Sequence, residues 1–249
     1  MSLIPRTEEE LKIMRKSGEI TAKALKKALE AARPGVNLLR VEAVASQEIL
    51  DLGAKLSFPT VDDYPYATCL TLNEEIVHGM PRDYVLKEGD LLGIDIGALY
   101  KGWHTDAAWS IVVGGGNPKF LSIGEEALWK AIKKAVVGNK IGDISAEIQQ
   151  TIEGAGYSVS RQFIGHGVGR ELHEDPNVPG TGSPGMGLPL KKNMTLAIET
   201  IYAEGNARAG IGSDGWTYVT LDGSLGGLFE MTVIVGEKGA EVLTDWRKY

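Results

Sequence analysis

Only one of the 249 residues is a cysteine, Cys69, so the chain cannot form an internal disulfide or a Cys-x-x-Cys zinc module. No apolar run approaches the ~18 residues that a membrane-spanning helix needs. The first residues, Met-Ser-Leu-Ile-Pro-Arg-Thr-Glu, lack the apolar centre of a signal peptide. Together these absences predict a cytoplasmic protein in a reducing compartment, with no membrane partner.

Basic residues are also in deficit: 26 lysines and arginines stand against 33 acidic residues, which gives a net charge of −7. Proteins that coat nucleic acid draw on a basic surface, so we expect no specific nucleic-acid partner. The first predicted helix does offer a local basic patch in Lys12, Arg15, Lys16, Lys23, Lys26 and Lys27. We interpret them as a solvated helix face; the alternative is a strip that docks on the ribosome.

The remaining composition, 43% hydrophobic and 24% charged residues, is ordinary for a globular protein. A chain of this length buries roughly 70–75% of its unfolded surface and needs no structural metal to fold. Any metal that binds is therefore expected to serve function, and a monomer is the simplest expectation for the assembly.

Hydrophobic periodicity and turn signals divide the chain into alternating groups of helices and strands. Helices are predicted over about 7–33, 38–52, 123–137 and 144–152, with capping-box spacing at Thr7–Glu10 and Ser122–Glu125. Strands are predicted over about 67–72, 90–96, 107–113, 157–163, 194–202, 216–221 and 228–235, and a Pro- and Gly-rich loop over 174–192. The repeated order predicts an α+β fold in one domain with two similar halves, residues 7–116 and 117–249.

Acidic residues interrupt several apolar strands, where a charge is costly unless it is paired or bound to a cation. Asp95 lies inside Leu-Leu-Gly-Ile-Asp-Ile-Gly, and Asp106 follows the next turn. The hairpin is expected to bring the two nearly opposite each other, ~5 Å apart, where a divalent cation would offset their repulsion. If the register differs by one residue, one of them faces water instead.

Glu199 and Glu230 interrupt two later strands in the same way. His166 and His173 lie in Gly-His-Gly-Val-Gly-Arg-Glu-Leu-His, where three glycines favour an extended chain over a helix. Carboxylates with imidazoles suit Mn, Fe, Co or Zn better than Ca or Mg. Two such ions would neutralise four carboxylates and lower the pKa of a shared water towards ~7, which predicts hydrolysis of an amide or a phosphate ester.

The motifs around these residues resemble those of the pita-bread metallopeptidases, and within them the type I methionine aminopeptidases, from about residue 7 to the end. They are Asn73-Glu-Glu-Ile-Val-His-Gly-Met-Pro81, Gly93-Ile-Asp-Ile-Gly97, His104-Thr-Asp106, the glycine-rich segment from Gly165 to His173, Ala197-Ile-Glu199 and Phe229-Glu-Met-Thr232. The resemblance implies a pita-bread fold, with helices packed outside a curved antiparallel sheet. It also implies removal of the initiator methionine from nascent proteins and peptides with a small second residue.

The resemblance further implies two divalent metal ions (Co, Mn, Fe or Zn) held by Asp95, Asp106, His166, Glu199 and Glu230. Asp106 and Glu230 would bridge the two ions, and Asp95 would bind one of them alone. His166 and Glu199 would bind the other ion, and Glu199 would also move a proton during catalysis.

Substrate contacts are implied by the same resemblance. His78 and His173 would touch the substrate and stabilise the tetrahedral intermediate. Tyr64, Cys69 and Trp216 would line the methionine pocket.

Three positions fall outside the pattern. His104 has no role in the family and is interpreted as a neighbour of the site. Leu172 stands where bacterial members often have an aromatic residue, and Thr200 stands where proline is usual, so side-chain preference or metal affinity would differ here.

Two alternatives stay open. One is an Xaa-Pro aminopeptidase or dipeptidase, whose usual N-terminal domain is absent from this sequence. The other is a non-catalytic scaffold, although such relatives typically lose metal ligands and this chain keeps all five.

Overall fold

The computed structural model describes residues 5–61 and 64–249. In these residues four α-helices occur: α1 (Glu8–Ala31), α2 (Leu38–Asp51), α3 (Lys119–Lys134) and α4 (Ile141–Gly154). Two 3-10 turns span Phe58–Thr60 and Trp246–Lys248. The strands are β1 (Lys55–Leu56), β2 (Thr68–Leu72), β3 (Glu75–Val77), β4 (Leu91–Tyr100), β5 (Trp103–Val112), β6 (Ser158–Val159), β7 (Gly165–Gly167), β8 (Glu174–Val178), β9 (Thr195–Ala203), β10 (Ala209–Ile211), β11 (Tyr218–Thr220), β12 (Gly226–Ile234) and β13 (Glu241–Val242).

Most strands join one large antiparallel sheet, whose order is β1-β4-β5-β12-β9-β7-β8. Strand β2 also pairs with β4, β6 with β9, and β13 with β12. A small second sheet has the order β10-β11-β3, so it combines one strand from the first predicted half with two from the second.

The two predicted halves have the same local plan. Helices α1 and α2 pack together, and α1 covers the hairpin β4–β5; helices α3 and α4 pack together, and α3 covers the antiparallel pair β9–β12. The prediction of an α+β architecture is confirmed, with strands from both ranges in one sheet.

Several element boundaries differ from the predictions. The Thr7–Glu10 capping box is confirmed, because Glu10 N–H donates to Thr7 Oγ1 at 3.3 Å and Thr7 N–H donates to Glu10 Oε2 at 2.9 Å. The Ser122–Glu125 box is wrong: α3 begins at Lys119, and the Ser122 hydroxyl donates to the Lys119 carbonyl inside its first turn. The predicted loop over 174–192 contains a strand, because residues 174–178 pair with β7.

Buried hydroxyl groups hold α1 on the sheet. The Ser17 hydroxyl lies 3.1 Å from the Ala98 carbonyl and 3.0 Å from the Trp103 carbonyl. The Thr21 hydroxyl accepts a hydrogen bond from Ala98 N–H at 3.1 Å and lies 2.8 Å from the Thr105 hydroxyl. Because these groups satisfy one another, the helix can approach the strands closely without leaving polar atoms unpaired.

A tyrosine has the matching role under α3. Tyr202 on β9 donates its hydroxyl proton to the Phe120 carbonyl at 2.7 Å. A Cβ at Gly124 would lie 2.3 Å from that hydroxyl oxygen, so only glycine lets the ring fit below the helix.

The halves meet where β5 pairs with β12, and this seam is short. Backbone pairing covers Glu230 with Ala108 and Met231 with Ala107. Side-chain hydroxyls extend it at both ends: Ser110 bonds the backbone of Leu228, and Thr232 bonds the backbone of Asp106. These two hydroxyls replace ladder bonds where the strands separate.

The basic side chains of α1 are largely used in surface ion pairs. Arg15 pairs with Glu241 at 2.7 Å, and Lys16 and Lys23 both pair with Glu19. This agrees with a solvated helix face, and ribosome docking stays an untested alternative. Within residues 5–61 and 64–249, no helix has both the length and the apolar content needed to cross a bilayer.

The buried carboxylate of Glu42 on α2 holds the backbone at the start of β2. It accepts hydrogen bonds from the backbone N–H groups of Ala67 (2.9 Å) and Thr68 (3.0 Å), and from the Thr68 hydroxyl. Glu42→Ala would leave these donors buried without an acceptor, so we expect the free energy of unfolding to fall by about 3 kcal/mol. Urea denaturation at neutral pH measures the change.

The control is Gln47→Ala on the same helix, where the side chain is exposed and donates to Asp51. It should leave the urea midpoint nearly unchanged. Equal midpoints for the two variants would show that the Glu42 contacts do not stabilise the entry into β2.

Candidate active site

The predicted metal-binding side chains share one face of the large sheet. Asp95 on β4 pairs with Ala108 on β5, Ala108 pairs with Glu230 on β12, and Glu230 pairs with Glu199 on β9. Directly paired residues point to the same face of a sheet. The register therefore aligns three carboxylates in one row across four strands, and the methyl group of Ala108 leaves space between two of them.

A second row lies two residues further along the strands. Asp106 pairs with Gly97, and His166 on β7 pairs with Ala197 on β9. Asp95 and Asp106 are thus diagonal neighbours on one face, rather than nearly opposite as the hairpin count suggested. The offset is two residues, so neither carboxylate turns to the other face and the off-by-one alternative is wrong.

Four buried carboxyl groups lie close together on this face, and their interactions dominate its electrostatics. Burial raises the pKa of Asp106, Glu199 and Glu230 well above the ordinary range, and the neighbouring carboxylates raise each of them further. Burial also raises the pKa of Asp95 to about 7, against hydrogen bonds from Asp106 and the Ile96 N–H that lower it. Without a cation, this group cannot be fully ionised at neutral pH.

The arrangement fits a bound divalent cation. One oxygen each of Asp95 and Glu230 is buried without a hydrogen-bond partner in the described part of the chain. Ligand atoms of Asp106, His166 and Glu230 all lie within 4.8 Å of one another. Unpartnered buried carboxylate oxygens, with an imidazole nearby, are the donor set that a hard or borderline cation takes up.

The ring of His166 is oriented for metal binding. Its Nδ1 lies 2.9 Å from the Gly167 carbonyl, which can only accept, so Nδ1 carries the proton. Nε2 then presents its lone pair and lies 3.5 Å from Glu199 Oε1. Burial, and next the charge of His173, lowers the His166 pKa to about 4, which keeps the ring neutral.

An apolar pocket of about 120 Å³ opens beside this face. Its lining contains seven of the predicted site residues: Tyr64, Cys69, His78, Asp95, Asp106, His173 and Trp216. It also contains Phe58, Val61 and Leu172. Sequence reasoning missed Phe58 and Val61 as pocket residues, because they lie in an irregular segment without periodicity, and it treated Leu172 only as a departure.

The three predicted pocket residues contact one another. Tyr64 and Trp216 stack at 5.4 Å between ring centroids, and the Tyr64 hydroxyl donates to the Thr68 carbonyl at 2.7 Å. Cys69 pairs with Asp95 across β2 and β4, and burial together with the Asp95 charge raises the pKa of its thiol. A thiol held protonated is a wall residue and a poor nucleophile.

His78 follows β3 and has φ 58°, in the left-handed region. Its ring makes edge contacts with Phe163 at 5.9 Å and Tyr218 at 5.8 Å. Burial, and next the charge of His173, lowers the pKa of His78. The ring is therefore neutral at physiological pH and can donate one hydrogen bond into the pocket.

His173 lies at the end of a loop that is fastened to the N-terminal segment. Its ring contacts His166 edge-on at 4.5 Å. The next residue, Glu174, forms an ion pair with Arg6 and accepts the Glu171 N–H at 3.0 Å. A Cβ at Gly169 would lie 2.3 Å from the Arg6 guanidinium. The last glycine of the Gly-His-Gly-Val-Gly motif therefore leaves space for the Arg6–Glu174 ion pair.

His104 and Thr200 lie next to the site without entering it. His104 Nδ1 lies 2.7 Å from the Ser57 hydroxyl, and burial lowers the pKa of the ring to about 4. This agrees with its interpretation as a neutral neighbour. Thr200 is buried with its hydroxyl unpartnered among the described residues.

Comparison with known proteins identifies the class to which this site belongs. The sequence profile of metallopeptidase family M24 matches residues 12–237. The methionine aminopeptidase of Clostridium perfringens is 42% identical over 245 residues, which cover 97% of this chain and 98% of that protein. The chain therefore belongs to metallopeptidase family M24 and is a hydrolase.

The fold agrees with that membership. The crystal structure of methionine aminopeptidase from Thermotoga maritima superposes with a TM-score of 0.94, at 42% identity, over 98% of this chain and 99% of that chain. The prolidase of Pyrococcus horikoshii gives a TM-score of 0.77 at 26% identity and is covered over only 63% of its length. The expected pita-bread fold is confirmed, and the chain aligns from end to end with methionine aminopeptidases.

In protein stripped of metal by a chelator, the buried Asp95 should make the free energy of unfolding depend on pH. Its pKa is about 7 when folded and 3.8 ordinarily, so between these values the folded state keeps a proton that the unfolded state has lost. Stability from this group is present below pH ~4 and is lost as the pH rises towards ~7. Relative to Asp95→Asn, the wild-type free energy of unfolding should fall by about 1 kcal/mol per unit between roughly pH 5 and pH 7.

Urea denaturation at several pH values measures this difference. The control is Asp222→Asn, because hydrogen bonds from Asn206 N–H and from Ser224 lower the pKa of Asp222 to about 2. That carboxylate stays ionised throughout, so the difference from wild type should not change with pH. A wild-type curve parallel to Asp95→Asn would contradict the burial argument, and added Mn²⁺ should flatten the wild-type slope because the cation replaces the proton.

Proposed function

We propose that this chain is an aminopeptidase that hydrolyses the N-terminal methionine of peptides and nascent proteins whose second residue is small, and that it uses two divalent ions. The proposal rests chiefly on one observation: four buried carboxylates and one imidazole face a common volume beside an apolar pocket. Membership of family M24 and end-to-end similarity to methionine aminopeptidases support it.

Five residues would hold the two ions. Asp106 and Glu230 lie centrally and would bridge them, Asp95 would bind one ion, and His166 with Glu199 would bind the other. When bound, the ions supply an activated water and polarise the scissile carbonyl. The two halves of the chain would act as one catalytic domain, because ligands come from strands of both.

Proton transfer and hydrogen bonding would fall to residues around the ions. Glu199 is buried with a raised pKa and lies at the edge of the ligand row, so it can take a proton from water and pass it to the leaving amine. His78 and His173 lie on the pocket lining and would donate hydrogen bonds to the carbonyl oxygen as negative charge develops on it.

Side-chain selection would occur in the pocket. Tyr64, Cys69 and Trp216 supply aromatic and sulfur surfaces that suit a flexible thioether. Leu172 contributes an aliphatic wall where bacterial relatives often have a ring. The smaller wall would leave more room beside His173, so we expect unbranched analogues of methionine to be accepted as well.

Peptide hydrolysis tests the proposal directly. Purified protein supplied with Mn, Co or Fe should cleave Met-Ala- peptides and leave Met-Leu- and Ala-Pro- peptides largely intact, with metal content measured on the same sample. Preference for Ala-Pro- would identify an Xaa-Pro peptidase instead. Absence of turnover with every metal would favour the alternative of a non-catalytic scaffold.

Two substitutions separate metal binding from substrate contact. Glu230→Ala removes the central carboxylate and should abolish both metal occupancy and turnover. His173→Ala should keep metal occupancy and lower kcat by about 10- to 1,000-fold, because it removes only a hydrogen-bond donor to the substrate. Isothermal titration with Mn²⁺ and steady-state kinetics measure the two effects.

The matched control is Glu204→Ala, an exposed glutamate just beyond β9. It should behave as wild type in both measurements. Activity retained in Glu230→Ala would refute the bridging role, and loss of metal in His173→Ala would mean that this imidazole binds an ion.

A further inference from the structure

Two proposed substrate-side residues come from different halves of the chain and meet at the small sheet. His78 directly follows β3, and Trp216 shortly precedes β11. These strands pair antiparallel, with Tyr218 opposite Val77. The segment 214–217 therefore lies against 78–80, and whatever fixes this contact fixes the catalytic donor relative to the pocket wall.

The backbone at His78 needs outside support. A φ of 58° lies in the left-handed region, which is strained for a residue other than glycine. A Cβ at the next residue, Gly79, would lie 2.2 Å from the Leu70 carbonyl oxygen, so the chain turns sharply against β2. Such a conformation persists only where surrounding contacts impose it.

Thr217 makes those contacts. Its hydroxyl accepts a hydrogen bond from Met80 N–H at 3.2 Å and donates to Asp214 Oδ2 at 2.5 Å. The Thr217 hydroxyl oxygen also lies 3.5 Å from the His78 carbonyl oxygen. Thr217 is 2% exposed, so water does not compete for these bonds.

Asp214 completes the link to Trp216. Its Oδ1 accepts the N–H groups of Trp216 and Thr217, each at 2.9 Å. Burial raises the pKa of Asp214, but the hydrogen bond from Thr217 and the two backbone N–H groups outweigh this and lower it overall. One ionised carboxylate thus holds the backbone of the pocket tryptophan and the hydroxyl that braces the turn after His78.

We propose that Thr217 and Asp214 are positioning residues, which hold the His78 ring and the Trp216 ring in a fixed relation across the pocket. Neither side chain lines the pocket or belongs to the ligand rows. The expected loss of activity rests on the proposed function, whereas the expected displacement of the His78 ring rests on geometry alone.

The other end of β11 offers a matched control. Thr220 is 4% exposed, and its hydroxyl donates to the Ser224 carbonyl at 2.7 Å. Its partners lie in the turn 222–224, away from His78. Thr217→Val and Thr220→Val therefore remove similarly buried hydroxyls, one just before β11 and one at its last residue, and only Thr217→Val removes a contact to the turn after His78.

Kinetics of the metal-loaded enzyme on a Met-Ala- peptide test the kinetic consequence. Thr217→Val should lower kcat/KM by about 10- to 100-fold, with changes in both kcat (through His78) and KM (through Trp216), while Mn²⁺ affinity stays at the wild-type value. Thr217→Ser keeps the hydroxyl and should restore most activity, and Asp214→Asn should follow Thr217→Val. Thr220→Val should keep wild-type kinetics, whatever its loss of stability.

NMR of the histidine rings tests the geometry without turnover, and it is simple because the chain has only 4 histidines. With His78 assigned through His78→Gln, its ring signals should shift in Thr217→Val and stay in place in Thr220→Val. Unmoved His78 signals, or equal kinetic losses in both valine variants, would overturn the inference. An inactive wild type with a shifted His78 signal would instead refute the proposed function and leave the positioning role intact.

Discussion

Mutual repulsion among four buried carboxylates is the constraint on which the rest of this structure depends. Asp95, Asp106, Glu199 and Glu230 share one face of a sheet whose other face is covered by helices. Each gains a raised pKa from burial, and the unpartnered oxygens of two of them have nothing else to bind in the described part of the chain. Apolar packing elsewhere must hold these groups together until a cation offsets the repulsion.

Space for the site comes largely from residues with little or no side chain. Ala108 lies between Asp95 and Glu230 in the first row, and Ala197 lies opposite His166 in the second. A Cβ at Gly97 would lie 2.8 Å from the Ser57 side chain. Glycine at this position therefore lets the segment 57–61, which contains the pocket residues Phe58 and Val61, approach β4. Small residues in these rows leave room for the proposed ions and substrate, where larger side chains would fill the face with hydrocarbon.

The proposed metal ligands and the proposed substrate contacts lie on different parts of the fold. Each half contributes an antiparallel strand pair covered by a helix; the four proposed carboxylate ligands lie on these strands, and His166 lies on the neighbouring β7. The proposed substrate-side residues lie instead on segments beside the sheet: His78 after β3, His173 before β8, and Trp216 before β11. Sheet register thus sets the geometry of the proposed metal ligands, whereas pocket geometry depends on side-chain contacts such as the Arg6–Glu174 ion pair.

The sequence by itself singled out the residues that are proposed to carry the chemistry, because an acid inside an apolar strand or a histidine between glycines is anomalous locally. It also determined the start of α1, since a capping box is a short-range pattern that the Thr7–Glu10 bonds satisfy. The same pattern failed at Ser122, where Pro118 and tertiary packing start the helix a turn earlier.

Only the tertiary structure decided the entry of Phe58 and Val61 into the pocket and the contact of Thr217 with the turn after His78. Each of these depends on segments distant along the chain, and their relative placement is fixed by the packing of the whole sheet. Local periodicity carries no information about such pairings.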